Sequence, residues 1–222
     1  IRDSTSISGN ANNLLYNESC LDAQMRRQIY GDIYDDSMWL IDLVENLLSV
    51  TRIEEGRMQI RQSAELVDEV IKEALKHTGQ SRTGRTIKVE EEDELILAKM
   101  DARLIVQVLI NLIGNAVKYT PQGTDITVRV KKEKAENAER SQVIISVCDL
   151  GNGIPDDRKE RVFDMFYTGS DQVADSRRSL GLGLGLCRSI INAHGGKIWI
   201  SDNIPHGAVV TFTLPAEELS LI

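Results

Sequence analysis

The hydrophobic period of this chain changes near residue 58, and that change limits what it can fold into. Before it, Ile33, Ser37, Leu40, Val44, Leu47 and Thr51 recur at alternating steps of four and three, with Ile41 and Leu48 widening the stripe. A heptad seam of this kind belongs to a helical bundle or coiled coil. Thr5 to Tyr16 reads as a shorter helix, Asn17 to Asp22 as a turn, and Asp22 as the N-cap of the second helix. Two helices bury little surface alone, so the hairpin is expected to pair with a second copy as a four-helix bundle. Packing onto the following domain is the alternative.

After residue 58 helical and two-residue periods alternate. A helix at 65–77 is followed by strands at 86–91 and 95–99 and by an apolar helix at 101–118. Ile126, Val128 and Val130, then Val143, Ile145 and Val147, mark two strands of period two. The charged connection Lys131 to Gln142 is expected to be a solvated hairpin loop. A helix at 183–194 and strands at 197–202 and 207–214 close the chain. The expected fold class is α+β: a helical hairpin over residues 1–57, then an α/β two-layer sandwich over residues 58–222 with helices on one face of the sheet.

Composition excludes several functions. Lys and Arg total 26 against 34 Asp and Glu, a net charge of -8, which argues against a nucleic-acid partner. Cys20, Cys148 and Cys187 form no CxxC pair, which fits a reduced compartment and no zinc site. Gln107, Asn111 and Asn115 break the longest apolar stretch, Leu104 to Val117, so no segment reads as membrane-spanning. No signal peptide is evident, and the start at Ile1 without Met suggests a piece of a longer protein.

Three places carry chemistry. In the helix at 101–118, Gln107, Asn111, Asn115 and Lys118 share one face of an otherwise apolar element. Amides lined up in this way either face solvent or line a polar cavity, since burying them unpaired is costly. Asp149-Leu150-Gly151-Asn152-Gly153 follows an apolar strand, putting a carboxylate at a strand end beside glycines that allow close backbone approach. A plain turn is the other reading of that sequence. Gly181-Leu182-Gly183-Leu184-Gly185-Leu186 runs into a helix, whose N-terminal N–H groups and dipole suit phosphate. The polar stretch 167–180 before it is expected to be a loop over a site.

NLIGNAVKYT at 111–120, DLGNGIP at 149–155, VFDMF at 162–166 and GLGLGL at 181–186 together resemble, in order, the N, G1, F and G2 boxes of the histidine kinase ATP-binding domain. That fold is shared with Hsp90-type chaperones, type II topoisomerases and MutL-like proteins, and the resemblance covers roughly residues 66–215. SISGNANNLL at 6–15 and DIYDDSMWLIDLVENLLSVTRIEEG at 32–56 look like the dimerisation hairpin of KdpD-type potassium-sensor kinases.

The resemblance implies ATP and Mg²⁺ as ligands. It gives Asp149 the adenine amino group, with Gly151 and Gly153 letting the backbone approach the base. Asn115, with Asn111 beside it, would hold Mg²⁺. Lys118 would meet phosphate oxygens and Tyr119 would lie against adenine or ribose. Phe163 and Phe166 would anchor a lid, while Gly181, Gly183 and Gly185 would wrap the triphosphate. Arg177 or Arg178 would reach the γ-phosphate, and Thr211 would join a water network around adenine. Ile154, Leu182 and Leu184 are the remaining expected nucleotide-binding residues.

Two departures stand out. Thr168 holds a position that is commonly basic in the family. Ile1-Arg2-Asp3-Ser4 occupies the place of the phosphoacceptor histidine, and the histidines present are His77, His194 and His206. His194 is expected at a helix C-terminus, where a cation is favoured. No catalytic base is named.

The resemblance implies a protein-histidine kinase of the two-component type. Its hairpin would form a homodimer, and a response regulator receiver domain would be its partner. It would be the cytoplasmic portion of an inner-membrane sensor, touching the membrane only through parts outside this chain. An ATP-binding docking module without kinase activity is the alternative. Chaperone-type ATP hydrolysis is disfavoured, because Asn111 stands where those enzymes carry a Glu base.

Overall fold

The computed structural model describes residues 2–17, 21–54, 60–78, 86–92, 95–134, 141–167 and 181–218. Helices α1 (Arg2–Asn17) and α2 (Ala23–Glu54) form the hairpin and lie against each other. Asp22 caps α2 as expected, its Oδ1 accepting the Met25 N–H at 2.7 Å. Along α2, Tyr34, Ile41 and Leu48 recur every seven residues and are exposed, as are Met38 and Val44. This apolar stripe is uncovered in the single chain. The expected boundary between residues 57 and 58 lies outside the described residues.

Beyond it, β1 (Ser63–Leu66) leads into α3 (Val67–His77), and β2 (Ile87–Glu91) and β3 (Leu97–Met100) follow. Helix α4 spans Ala102–Tyr119, and strands β4 (Ile126–Lys134) and β5 (Ser141–Cys148) form an antiparallel pair. A short α5 (Asp156–Lys159) and a 3-10 turn, Arg161–Phe163, precede α6 (Gly183–Ala193). Strands β6 (Ile198–Asp202) and β7 (Ala208–Glu217) end the described chain. Strands run in the order β1-β3-β7-β5-β4-β2, and β6 also pairs with β7.

One face of this sheet makes the core. Val128 lies opposite Val147 and Val130 opposite Ile145, while Ile145 and Val143 face Phe212 and Leu214 in the next register. These residues are buried together with Val70, Ile71 and Ala74 of α3, Ile105, Leu109 and Leu112 of α4, and Leu186, Ile190 and Ile191 of α6. The period of two in the strands and of 3.6 in the helices thus meet in a single apolar layer. The fold class read from the pattern is the one observed.

Two element readings change. Residues 63–66 form a strand paired with β3 and the helix begins after them, so the expected helix start at 65 moves to Val67. The connection expected at 131–142 is shorter, because Lys131 to Lys134 pair with Ile144 to Ser141 as regular strand. Residues 135–140 lie outside the described residues. No helix among the described residues is long and apolar enough to cross a membrane.

Candidate functional site

The site is built along α4. Burial of Ile105, Val108, Leu109, Leu112, Ile113 and Ala116 fixes the rotation of the helix. Gln107, Asn111 and Asn115 are therefore left half-buried on its polar face, and Lys118 is exposed. Asn111 stands against the start of α6: a Cβ on Gly183 would lie 3.7 Å from its Oδ1. Its Nδ2 is buried and has no hydrogen-bond partner among the described residues. The nearby Cys187 thiol is a weak acceptor that does not satisfy it. Burial pushes that thiol up to about 12, with the Asn111 side chain opposing the shift, so it stays protonated. An amide N–H without an acceptor, beside the free N–H groups of a helix start, suits an anionic oxygen.

At its other end α4 meets the loop after β5. A Cβ on Gly151 would fall 2.7 Å from the Tyr119 carbonyl oxygen, so only glycine lets the two backbones come this close. Asp149 sits at the mouth of this contact. Its Oδ1 accepts the Gly151 N–H at 2.8 Å and the Ala208 N–H at 3.2 Å, while its own N–H donates to the Ala208 carbonyl at 2.9 Å. Oδ2 makes no hydrogen bond among the described residues and is left for an outside donor. Asn111 and Tyr119 are eight residues apart on α4, a rise of about 12 Å. The C-terminal half of the helix thus runs from a glycine-lined helix start beside Asn111 to an acceptor carboxylate near Tyr119, with Asn115 between them.

The three glycines before and in α6 have different surroundings. Gly183 faces Asn111. Gly181 has φ 66°, and a Cβ there would lie 2.3 Å from the Tyr167 carbonyl oxygen. With the Phe166 N–H donating to the Gly181 carbonyl at 3.1 Å, residues 167 and 181 meet at the two ends of the intervening segment. Gly185 is buried against the Phe163 carbonyl oxygen and Met165, at 3.2 and 3.3 Å from a hypothetical Cβ. It is therefore a packing glycine. Leu182 is buried, and Leu184 packs against both apolar clusters.

Several expected site residues land elsewhere. Phe163 is buried with Ile200 and Ala208, and Ile154 packs on the same cluster. Phe166 is 63% exposed and takes a positive φ, and its contact with the far end of the segment is through its backbone N–H to Gly181. Thr211 lies on the wrong face of β7. The two-residue period points 208, 210 and 212 toward the helices, whereas 211 faces away and its Oγ1 pairs with Ser146 Oγ at 2.9 Å. Tyr119 is exposed, with Lys118 Nζ 5.0 Å above its ring. Arg177, Arg178 and Thr168 lie outside the described residues.

His194 ends α6 as expected, but not as a cation. His194 is buried and neutral: Nε2 accepts the Asp101 N–H at 3.0 Å while Nδ1–H donates to the Ile190 carbonyl at 2.8 Å. Burial lowers its pKa, against the weaker opposing pulls of the Ile190 carbonyl and Asp101. The expected cation is absent because a core position outweighs the helix dipole. His77 is exposed beside Glu73, and His206 Nδ1–H donates to the Gly151 carbonyl at 3.2 Å. Sequence reasoning placed a turn between the last two strands but missed that this turn, Asn203 to Ala208, grips Asp149. Its one visible signal was an Asn and a Gly flanking a proline between two strands.

Residues 100–218 match the family model for histidine kinase-, DNA gyrase B-, and HSP90-like ATPases. Sensor protein KdpD of Clostridium acetobutylicum is 39% identical over 211 residues, which is 95% of this chain and 23% of that protein. Adaptive-response sensory kinase SasA of Gloeothece citriformis is 30% identical over 86% of this chain and 48% of that protein. The chain thus spans less than half the length of these two relatives. Among solved structures, histidine kinase ThkA in complex with response regulator protein TrrA superimposes with a TM-score of 0.67. It is 25% identical, over 97% of this chain and 59% of that one.

Proposed function

Because the chain belongs to the family of histidine kinase-, DNA gyrase B-, and HSP90-like ATPases, we propose that it is the catalytic region of a two-component sensor kinase. It binds Mg-ATP and transfers the γ-phosphoryl group to a histidine, from which the phosphate passes to a response regulator. Residues 58–222 would be the nucleotide-binding unit and residues 1–57 the hairpin through which two copies pair. The exposed stripe of Tyr34, Ile41 and Leu48 supports that pairing. The similarity to sensor protein KdpD favours potassium or osmotic sensing and a location as the cytoplasmic part of a membrane protein.

The observation that carries this reading is the line along α4. Asp149 Oδ2, free among the described residues, suits an adenine amino donor. Asn111 and the start of α6, a helical rise of about 12 Å from Tyr119, suit phosphates. Gly151 and Gly153 bring backbone to the base. Asn115 and Asn111 are neutral amides that would hold Mg²⁺ together with phosphate oxygens, which supply the charge a hard cation requires. Magnesium would supply charge neutralisation for phosphoryl transfer. The chain's own groups orient the nucleotide and exclude water. Lys118 and Arg177 or Arg178 remain the expected cationic partners of the phosphates, with Gly181 to Gly185 around them.

A fluorescent ATP analogue titrated into the chain with and without Mg²⁺ tests this reading. Saturable, Mg-dependent binding below millimolar concentration is expected, and its absence overturns the proposal. Transfer of labelled phosphate to a separate histidine-bearing hairpin then separates a kinase from a docking module.

A further inference from the structure

The β6–β7 turn does more than join two strands. Strand β5 ends at Cys148, so the Asp149 carbonyl has no ladder partner. Asn203 supplies one: its Nδ2–H donates to Asp149 O at 2.8 Å across 54 residues of sequence. Its Oδ1 accepts the Ile204 N–H at 3.0 Å and its backbone N–H donates to Gly207 O at 3.0 Å, which fixes the amide in place. Gly207 makes room for the contact, with φ 114° and a hypothetical Cβ only 2.0 Å from Asp149 O. The next residue, Ala208, sends its N–H to Asp149 Oδ1, and His206 holds the Gly151 carbonyl. Among the described residues, Asn203 is the one side chain bound to the Asp149 backbone.

We infer that Asn203 is a positioning residue, which sets the direction in which Asp149 presents its free carboxylate oxygen and thereby the preference for adenine over guanine. The inference rests on the proposed role of Asp149 as the adenine contact. Adenine offers an amino donor where guanine offers a carbonyl oxygen, so an aligned carboxylate attracts one base and repels the other. Without Asn203 the Asp149 carbonyl loses its partner in a crowded place under Gly207. The loop then relaxes and the alignment of Oδ2 goes with it.

The experiment uses the full chain, with ATP binding and competition by GTP measured for wild type, Asn203→Ala and Asn203→Asp, and thermal melting alongside. Asn203→Ala is expected to weaken ATP by about five-fold, from the loss of one hydrogen bond. GTP is expected to bind as before, so that the ATP preference narrows by the same factor. Asn203→Asp keeps the shape but puts an acceptor against a carbonyl, and is expected to lose at least as much. It carries the test if the alanine variant melts early. General loosening would weaken both nucleotides together, so an unchanged ATP-to-GTP ratio in both variants overturns the inference. Wild-type protein that binds neither nucleotide overturns instead the functional reading on which the inference stands.

Discussion

His194 joins the far ends of the two helices that frame the site, and its removal should register in both stability and pH response. Its Nε2 accepts from Asp101 at the start of α4, while its Nδ1 donates within α6. Asp101 in turn accepts the Arg61 N–H at 3.3 Å and lies 3.7 Å from Arg103. In His194→Ala the buried Asp101 N–H has no acceptor, a cost of about 1–3 kcal/mol before any loss from the cavity. The pH effect follows from the lowered pKa. Burial disfavours the charged ring in the folded chain, whereas the unfolded chain protonates it below about pH 6.5. Stability is therefore complete above that value and falls as pH drops through it, by at most about 1.4 kcal/mol per unit. Urea unfolding at about pH 7.5 and about pH 5.5, in wild type and in His194→Gln, isolates this contribution. The glutamine variant, neutral at both values, should lose less stability than wild type on acidification. Equal losses would show that the ring is not held neutral in the fold.

Asp149→Ala should melt within a few degrees of wild type yet bind ATP about ten-fold or more weakly, since a hydrogen bond to a charged acceptor is lost; calorimetric titration reads this. Gly183→Ala and Gly185→Ala should behave oppositely. At Gly183 a methyl finds ordinary contact with Asn111, so the fold is kept and nucleotide affinity falls. At Gly185 it meets the Phe163 carbonyl, and stability falls by about 1–3 kcal/mol by denaturant unfolding. The chain of residues 1–222 should take no acid-labile, base-stable label from γ-labelled ATP, because residues 1–56 hold no histidine and His194 is buried. Label lost with His77→Ala or His206→Ala would contradict this.

What could be read from the sequence was local. The 3.6-residue stripe of α4, the alternation of β4 and β5 and the cap at Asp22 each depend on neighbours within a few positions, and the pattern specified them. Strand β1 could not be read this way. Ser-Ala-Glu-Leu at 63–66 alternates over only four residues, too few to tell a strand from a helix start, and its pairing with β3 decides. The polar ends of β4 and β5 extend beyond the core through ladder bonds that no single segment displays. His194 was misread because a helix C-terminus is visible in sequence, whereas its burial against Asp101 is set by a distant part of the chain.

The same distinction explains the site. Its chemistry-bearing types, a carboxylate after a strand, amides on an apolar helix and glycines before another, stand out because each is costly unless used. Their roles do not, because similar residues in one string can serve different neighbours. Gly181, Gly183 and Gly185 look equivalent as a repeat, yet one turns the chain at Tyr167, one faces Asn111 and one packs beneath Phe163. Thr211 and Ala208 differ by three positions, which on a strand means opposite faces. The threonine hydroxyl accordingly pairs with Ser146, and what β7 offers Asp149 is the backbone N–H of Ala208. A motif names the residue types that a site requires. Parity along the strand and contact across the fold decide which of them face it.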